Sequence, residues 1–103
     1  MLLSAVTAWE IALLVDSGRI GLDLAASEWI ERFLDRPGVA AVPLVPRAAA
    51  GAYRFLGLEH PDPADRLLIA TAIELDCPLV TSDARITRFA ARYGGRYGFA
   101  AAG

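Results

Sequence analysis

Residues 62–83, DPADRLLIATAIELDCPLVTSD, leave this chain few ways to fold. Asp62 suits a helix N-cap, and Pro63 suits the first helical position, where its missing N–H costs nothing. The apolar run that follows predicts a helix over 63–75. Then comes PLVTS, a short apolar strand of the kind buried on both faces of a parallel sheet. A helix that feeds a parallel strand must run back along the sheet. Its amino end therefore lies at the edge where the strands have their carboxyl ends, which is where open α/β sheets bind ligands. Asp65 and Asp83 are expected at that one edge, although 18 positions separate them.

The rest of the chain repeats the alternation. LLSAV (2–6) predicts a strand and TAWEIALLVDS (7–17) a helix stopped by Gly18. LAASEWIERFLDR (24–36) is amphipathic, with Ser27 as cap, Trp29, Ile30 and Phe33 as its apolar stripe, and Pro37-Gly38 as its stop. VAAVPLV (39–45) predicts a strand, PRAAAGAYRFLG (46–57) a helix with Pro46 near its start, and ARITRFAARY (84–93) the last helix. Strands alternating with helices predict an α/β fold with a parallel sheet. At 103 residues, 55% of them apolar, the chain suffices for one domain, expected over 1–93, with RYGFAAAG closing a frayed tail over 94–103.

Charge is uneven. The net formal charge is −2, and all ten basic residues are arginines. From Ala84 onward there are four arginines and no acid. Arg85, Arg88 and Arg92 recur at helical spacings, so one face of the last helix is basic. That face reads either as phosphate contacts or as a solvated cationic helix end. A lone cysteine, Cys77, excludes an internal disulfide and fits a reducing, cytoplasmic setting. The first segment lacks a basic leader, is interrupted by Glu10 and is too short to span a bilayer, so it reads as core.

Glu10 supplies a third acid. On a helix it shares its face with Val6, Thr7, Leu13 and Leu14. A buried, unpaired carboxylate there would cost several kcal/mol. It is thus either an acid at a solvent-facing edge or one compensated by an arginine, a proton or a cation. Asp65 alone reads equally as an acid facing the helix dipole, and Asp83 as the N-cap of the last helix. Taken together, Glu10, Asp65 and Asp83 fall at the same sheet edge. Such a cluster of hard oxygen donors suits Mg²⁺ or Mn²⁺ rather than zinc. His60 reads as a loop residue, Trp9 and Trp29 as core or interface, and Cys77 as a small core residue. Thr81 and Ser82 read as hydrogen-bonding support for the site or as caps of the strand end.

SAVTAWEIALLVDSGRI, HPDPADRLLIATA and PLVTSD together resemble PIN-domain ribonucleases, above all the VapC-type toxins of bacterial toxin–antitoxin pairs. The likeness runs from about Leu2 to Tyr93. It implies an α/β/α sandwich with a parallel sheet, an RNA substrate, a cognate antitoxin and a divalent cation held by acids. By motif, Glu10 matches the glutamate of the WEIA block, Asp65 the aspartate opening DRLLIATA, and Asp83 the aspartate after LVT. These three are the implied catalytic and metal-holding residues, with Arg85, Arg88 and Arg92 on the RNA.

The family pattern begins with a further strand, central in the sheet and ending in another aspartate, and these residues start after it. The expectation is therefore a gap among the parallel strands, a tendency to form homo-oligomers, and an impaired site. The alternative function is an inactive binding module that associates with an antitoxin or with itself. No membrane association is expected.

Overall fold

Ser4 turns a strand into a helix with no loop between them. Its hydroxyl accepts from the Val6 amide at 3.1 Å, so the cap falls two residues before the predicted end of the strand. The computed structural model describes residues 1–58 and 62–103. They gather into two compact units, Met1–Leu44 and Val45–Gly103.

In the first unit, β1 (Leu2–Ser4) is followed by α1 (Ala5–Asp16), α2 (Ala26–Leu34) and β2 (Ala40–Val42). β1 and β2 pair in parallel, with Leu2 opposite Ala40 and Ser4 opposite Val42. Leu3 and Val6 are buried. α2 begins one residue before its predicted cap: Ala25 holds the N-cap position with no side-chain bond, and Ser27 lies inside the helix. The apolar stripe of α2 is as expected, with the rings of Trp29 and Phe33 stacked at 5.5 Å. Trp9 is 57% exposed, so it is not a core residue.

The second unit contains α3 (Pro46–Gly51), α4 (Pro63–Leu75), β3 (Leu79–Val80), α5 (Ala84–Tyr97) and β4 (Ala101–Ala102). α3 packs on α4. Ala48, Ala52 and Ala64 are all buried, and their small side chains suit close helix packing. α3 is half its predicted length, because the chain turns at Ala52–Tyr53 and again around Gly57, which has a φ of +80°. Arg66 braces this returning segment by donating to the carbonyls of Leu58 (3.0 Å) and Ala52 (3.4 Å). Ile69 and Ile86 are fully buried, each worth roughly 1.5–3 kcal/mol in transfer from water.

The C-terminal residues differ from the expected frayed tail. α5 continues to Tyr97, Gly98 reverses the chain at a φ of +69°, and β4 pairs in parallel with β3. Phe99 is 5% exposed, and its ring lies 5.9 Å from that of Phe89. The buried ring and the pairing of β4 with β3 together hold an otherwise alanine-rich end. β3 also departs from the sequence reading. It was expected to be covered on both faces, yet Val80 is 77% exposed. Strand pairing is parallel in both ladders, β1–β2 and β3–β4, as an α/β fold requires. No described helix is long and apolar enough to cross a membrane.

Candidate functional site

The first turn of α4 carries two acids. Asp62 is its N-cap, and one carboxylate oxygen accepts from the Ala64 amide at 2.9 Å. Asp65 lies three residues on, half-buried, in the same turn. Each offers a carboxylate oxygen, and these two oxygens are within 4.8 Å of one another. The arrangement follows from the spacing DPAD. Proline opens the helix, and positions three apart return to the same face. The capping role and the site role are therefore compatible: capping engages Oδ1 of Asp62, and Asp65 benefits from the positive helix end in either case.

Asp83 stands where β3 gives way to α5. It is the N-cap of α5, with Oδ1 accepting from the Arg85 amide at 2.8 Å. Its other oxygen meets the Arg85 guanidinium at 3.4 Å, and both side chains are partly exposed. A solvated pair of this kind is worth about 0–1 kcal/mol. Thr81 supports the turn, its hydroxyl accepting from the Asp83 amide at 3.1 Å. The Ser82 side chain is exposed and makes no hydrogen bond among the described residues.

Arg85, Arg88 and Arg92 are exposed along α5. They border a concavity of about 450 Å³ whose other walls include Gly57, Phe89 and Tyr93. Arg88 has no ion-pair partner among the described residues, and Arg92 lies 5.5 Å from the centre of the Tyr93 ring. Sequence reasoning placed the arginines but missed the aromatic wall. The signal was the spacing of Phe89 and Tyr93, four residues apart on the same helix.

Glu10 is in the middle of α1, in the first unit, and is half-buried rather than buried. Cys77 is half-exposed, with its thiol donating to the Leu75 carbonyl at 3.3 Å, so it is not a core residue. His60 lies outside the described residues.

Residues 1–92 match the family model described as PIN domain. The chain belongs to the PIN-domain family. It is also similar to ribonuclease VapC22 of Mycobacterium tuberculosis (strain ATCC 25618 / H37Rv), with 36% identity over 83 residues, or 81% of this chain. The matched region spans 62% of the length of that relative. No solved structure matches. For a PIN domain the donors on the first turn of α4 are chemically apt. Two carboxylates with mutually close oxygens form an all-oxygen set, which fits Mg²⁺ or Mn²⁺. Asp62 is the acid that sequence reasoning assigned only to capping.

Proposed function

We propose that this chain is a metal-dependent endoribonuclease of the VapC type, the toxin of a toxin–antitoxin pair that acts on single-stranded RNA in the cytoplasm. The observation that carries the reading is the pair of acids on the first turn of α4 in a PIN-domain chain. Asp65 and Asp83 would hold Mg²⁺ or Mn²⁺, with Asp62 as a further oxygen donor beside Asp65, and Glu10 would hold the cation or orient the attacking water. When bound, the cation supplies charge neutralisation at the phosphoryl oxygens and a more acidic water. Thr81 fixes the backbone from which Asp83 projects. Arg85, Arg88 and Arg92 hold the RNA by its phosphates. A cognate antitoxin is the protein partner, and self-association is a second one.

The test is the chemistry of the product ends. Water attacking in line, with the 3′ oxygen leaving, gives a 5′-phosphate and a 3′-hydroxyl. Single-stranded RNA incubated with the purified protein and Mn²⁺ should yield those ends. Products with 2′,3′-cyclic phosphates would sink the reading, because they arise from attack by the RNA's own 2′-hydroxyl.

A second reading is a binding module without catalysis. Trp9 and Leu13, one helical turn apart on α1, are both exposed large apolar side chains, which favours a docking role for that face. Retention of antitoxin by a protein that cleaves no RNA in Mn²⁺ would select this reading.

A further inference from the structure

The concavity on α5 combines two kinds of wall. Three guanidinium groups, from Arg85, Arg88 and Arg92, line it, and among the described residues no acid does. Tyr93, half-buried, supplies ring surface, and the buried Phe89 ring packs against it, their centroids 5.9 Å apart and their planes tilted by 31°. Gly57 completes the rim. A side chain at 57 would collide with the Tyr93 ring, so glycine is what lets the backbone at this position lie against α5. Next to it, the Leu56 amide donates to the Tyr97 hydroxyl at 2.8 Å, which anchors the rim to the same helix. The volume, about 450 Å³, lies within the range of small-ligand sites.

We propose that this concavity is a nucleotide subsite: it takes one nucleotide of the RNA strand, with the phosphate on the arginines and the base against Tyr93 and the Arg92 guanidinium. This deepens the ribonuclease reading and rests on it for the identity of the polymer. Cationic groups beside an aromatic wall match the two faces of a nucleotide, an anionic phosphate and a π surface. Arg92 already lies over the Tyr93 ring, which shows that a flat cation is accepted there. An acidic peptide would satisfy the arginines and leave the rings without a role. Arg88, with no ion pair among the described residues, gives up nothing to meet a phosphate. The subsite selects for a base at one fixed position on the strand, since abasic RNA fills the cationic half alone.

The experiment is equilibrium binding of a fluorescent single-stranded RNA in EDTA, where no cleavage occurs, with the amide resonances of Gly57 and residues 85–93 followed by NMR. Wild-type protein should shift those resonances. Replacing one nucleotide by an abasic unit should weaken binding by roughly tenfold, the scale of one lost base stack. Arg88→Ala should weaken binding and lower the salt slope by about 0.7, the single-strand value for one phosphate contact. Tyr93→Leu should reduce the difference between intact and abasic RNA. Tyr93→Phe keeps the ring and should preserve that difference, which guards against loss of folding in the leucine variant. Arg32→Ala, on α2 in the other unit, should change nothing.

Equal affinity for intact and abasic RNA, or shifts confined to other residues, would overturn the subsite. So would tighter binding of a polyglutamate peptide than of RNA at the same resonances, which would assign the pocket to an acidic protein segment. RNA bound there without any cleavage in Mn²⁺ would uphold the subsite and remove the nuclease reading. Cleavage with a KM indifferent to Tyr93→Leu and Arg88→Ala would do the reverse.

Discussion

Asp62 and Asp65 hold carboxylate oxygens within 4.8 Å of each other on the first turn of α4. Like charges at this range repel by about 1 kcal/mol in water and by several times that in a less polar setting. The helix end offsets part of this, since Asp62 is bonded to the Ala64 amide. A divalent cation placed between the two oxygens would attract both.

Metal should therefore stabilise the protein. At ten times its Kd, Mn²⁺ adds about 1.4 kcal/mol, which raises the Tm of a chain this size by several degrees. Asp65→Asn should diminish the rise. Asp62→Ser is more discriminating, because serine keeps the cap and removes the carboxylate. Its Tm without metal should stay within a few degrees of wild type, and its response to Mn²⁺ should shrink. Differential scanning calorimetry with and without millimolar Mn²⁺ measures both. An unchanged curve for wild type counts against the acidic site.

The end of the chain is expected to matter for stability. Phe99 is buried against Phe89, and its amide donates to the Gly94 carbonyl at 2.9 Å. Phe99→Ala should cost about 3–5 kcal/mol in urea denaturation, the usual range for a buried phenylalanine. A frayed tail would give a change near zero.

How much of this was legible beforehand depends on the residue. The bounds of α4 agree with expectation because Asp62-Pro63 mark its start by capping and by fixed φ. Its end was read from where the apolar run gives way to the next strand. α2 was found from its stripe but not from its cap, since Ala25 does the job with backbone alone. Phe99 was hidden within an Ala- and Gly-rich stretch, where composition outweighed a single large ring. Val80 looked buried because apolar runs suit parallel strands. Its exposure depends on which strands flank it, which local pattern does not encode. Asp65 and Asp83 stood out in the sequence by their position at one sheet edge, whereas Asp62, whose carboxylate lies beside that of Asp65, read only as a cap because it fits that role well.

Asp76 offers a test of backbone strain. It closes α4 in the left-handed region at a φ of 51°, the one described non-glycine residue with positive φ. Glycine adopts that conformation without a Cβ penalty. Asp76→Gly should be neutral or stabilising by up to about 1 kcal/mol, and Asp76→Val destabilising by about 1–2 kcal/mol. Chemical denaturation of the three proteins orders them, and a glycine variant less stable than the valine one would contradict the assignment.

The Tyr97 hydroxyl accepts from the Leu56 amide, and Tyr97→Phe should cost roughly 1 kcal/mol by removing that bond. Amide hydrogen exchange should speed up most at Leu56. Uniform acceleration over the second unit would mean instead that the ring packing, 5.2 Å from Phe55, had been disturbed.

Whether the acids serve metal-dependent RNA cleavage is decided by one comparison. Wild type, Glu10→Gln, Asp65→Asn and Asp83→Asn, prepared in parallel, are given single-stranded RNA in EDTA and then in excess Mn²⁺. The expected result is no cleavage in EDTA, cleavage by wild type once Mn²⁺ is restored, and a loss of at least about a hundredfold in rate for each variant, as when metal occupancy and water position fail together. Cleavage that persists in EDTA, or that survives both Asp65→Asn and Asp83→Asn at the wild-type rate, would contradict the assignment of these carboxylates to the cation.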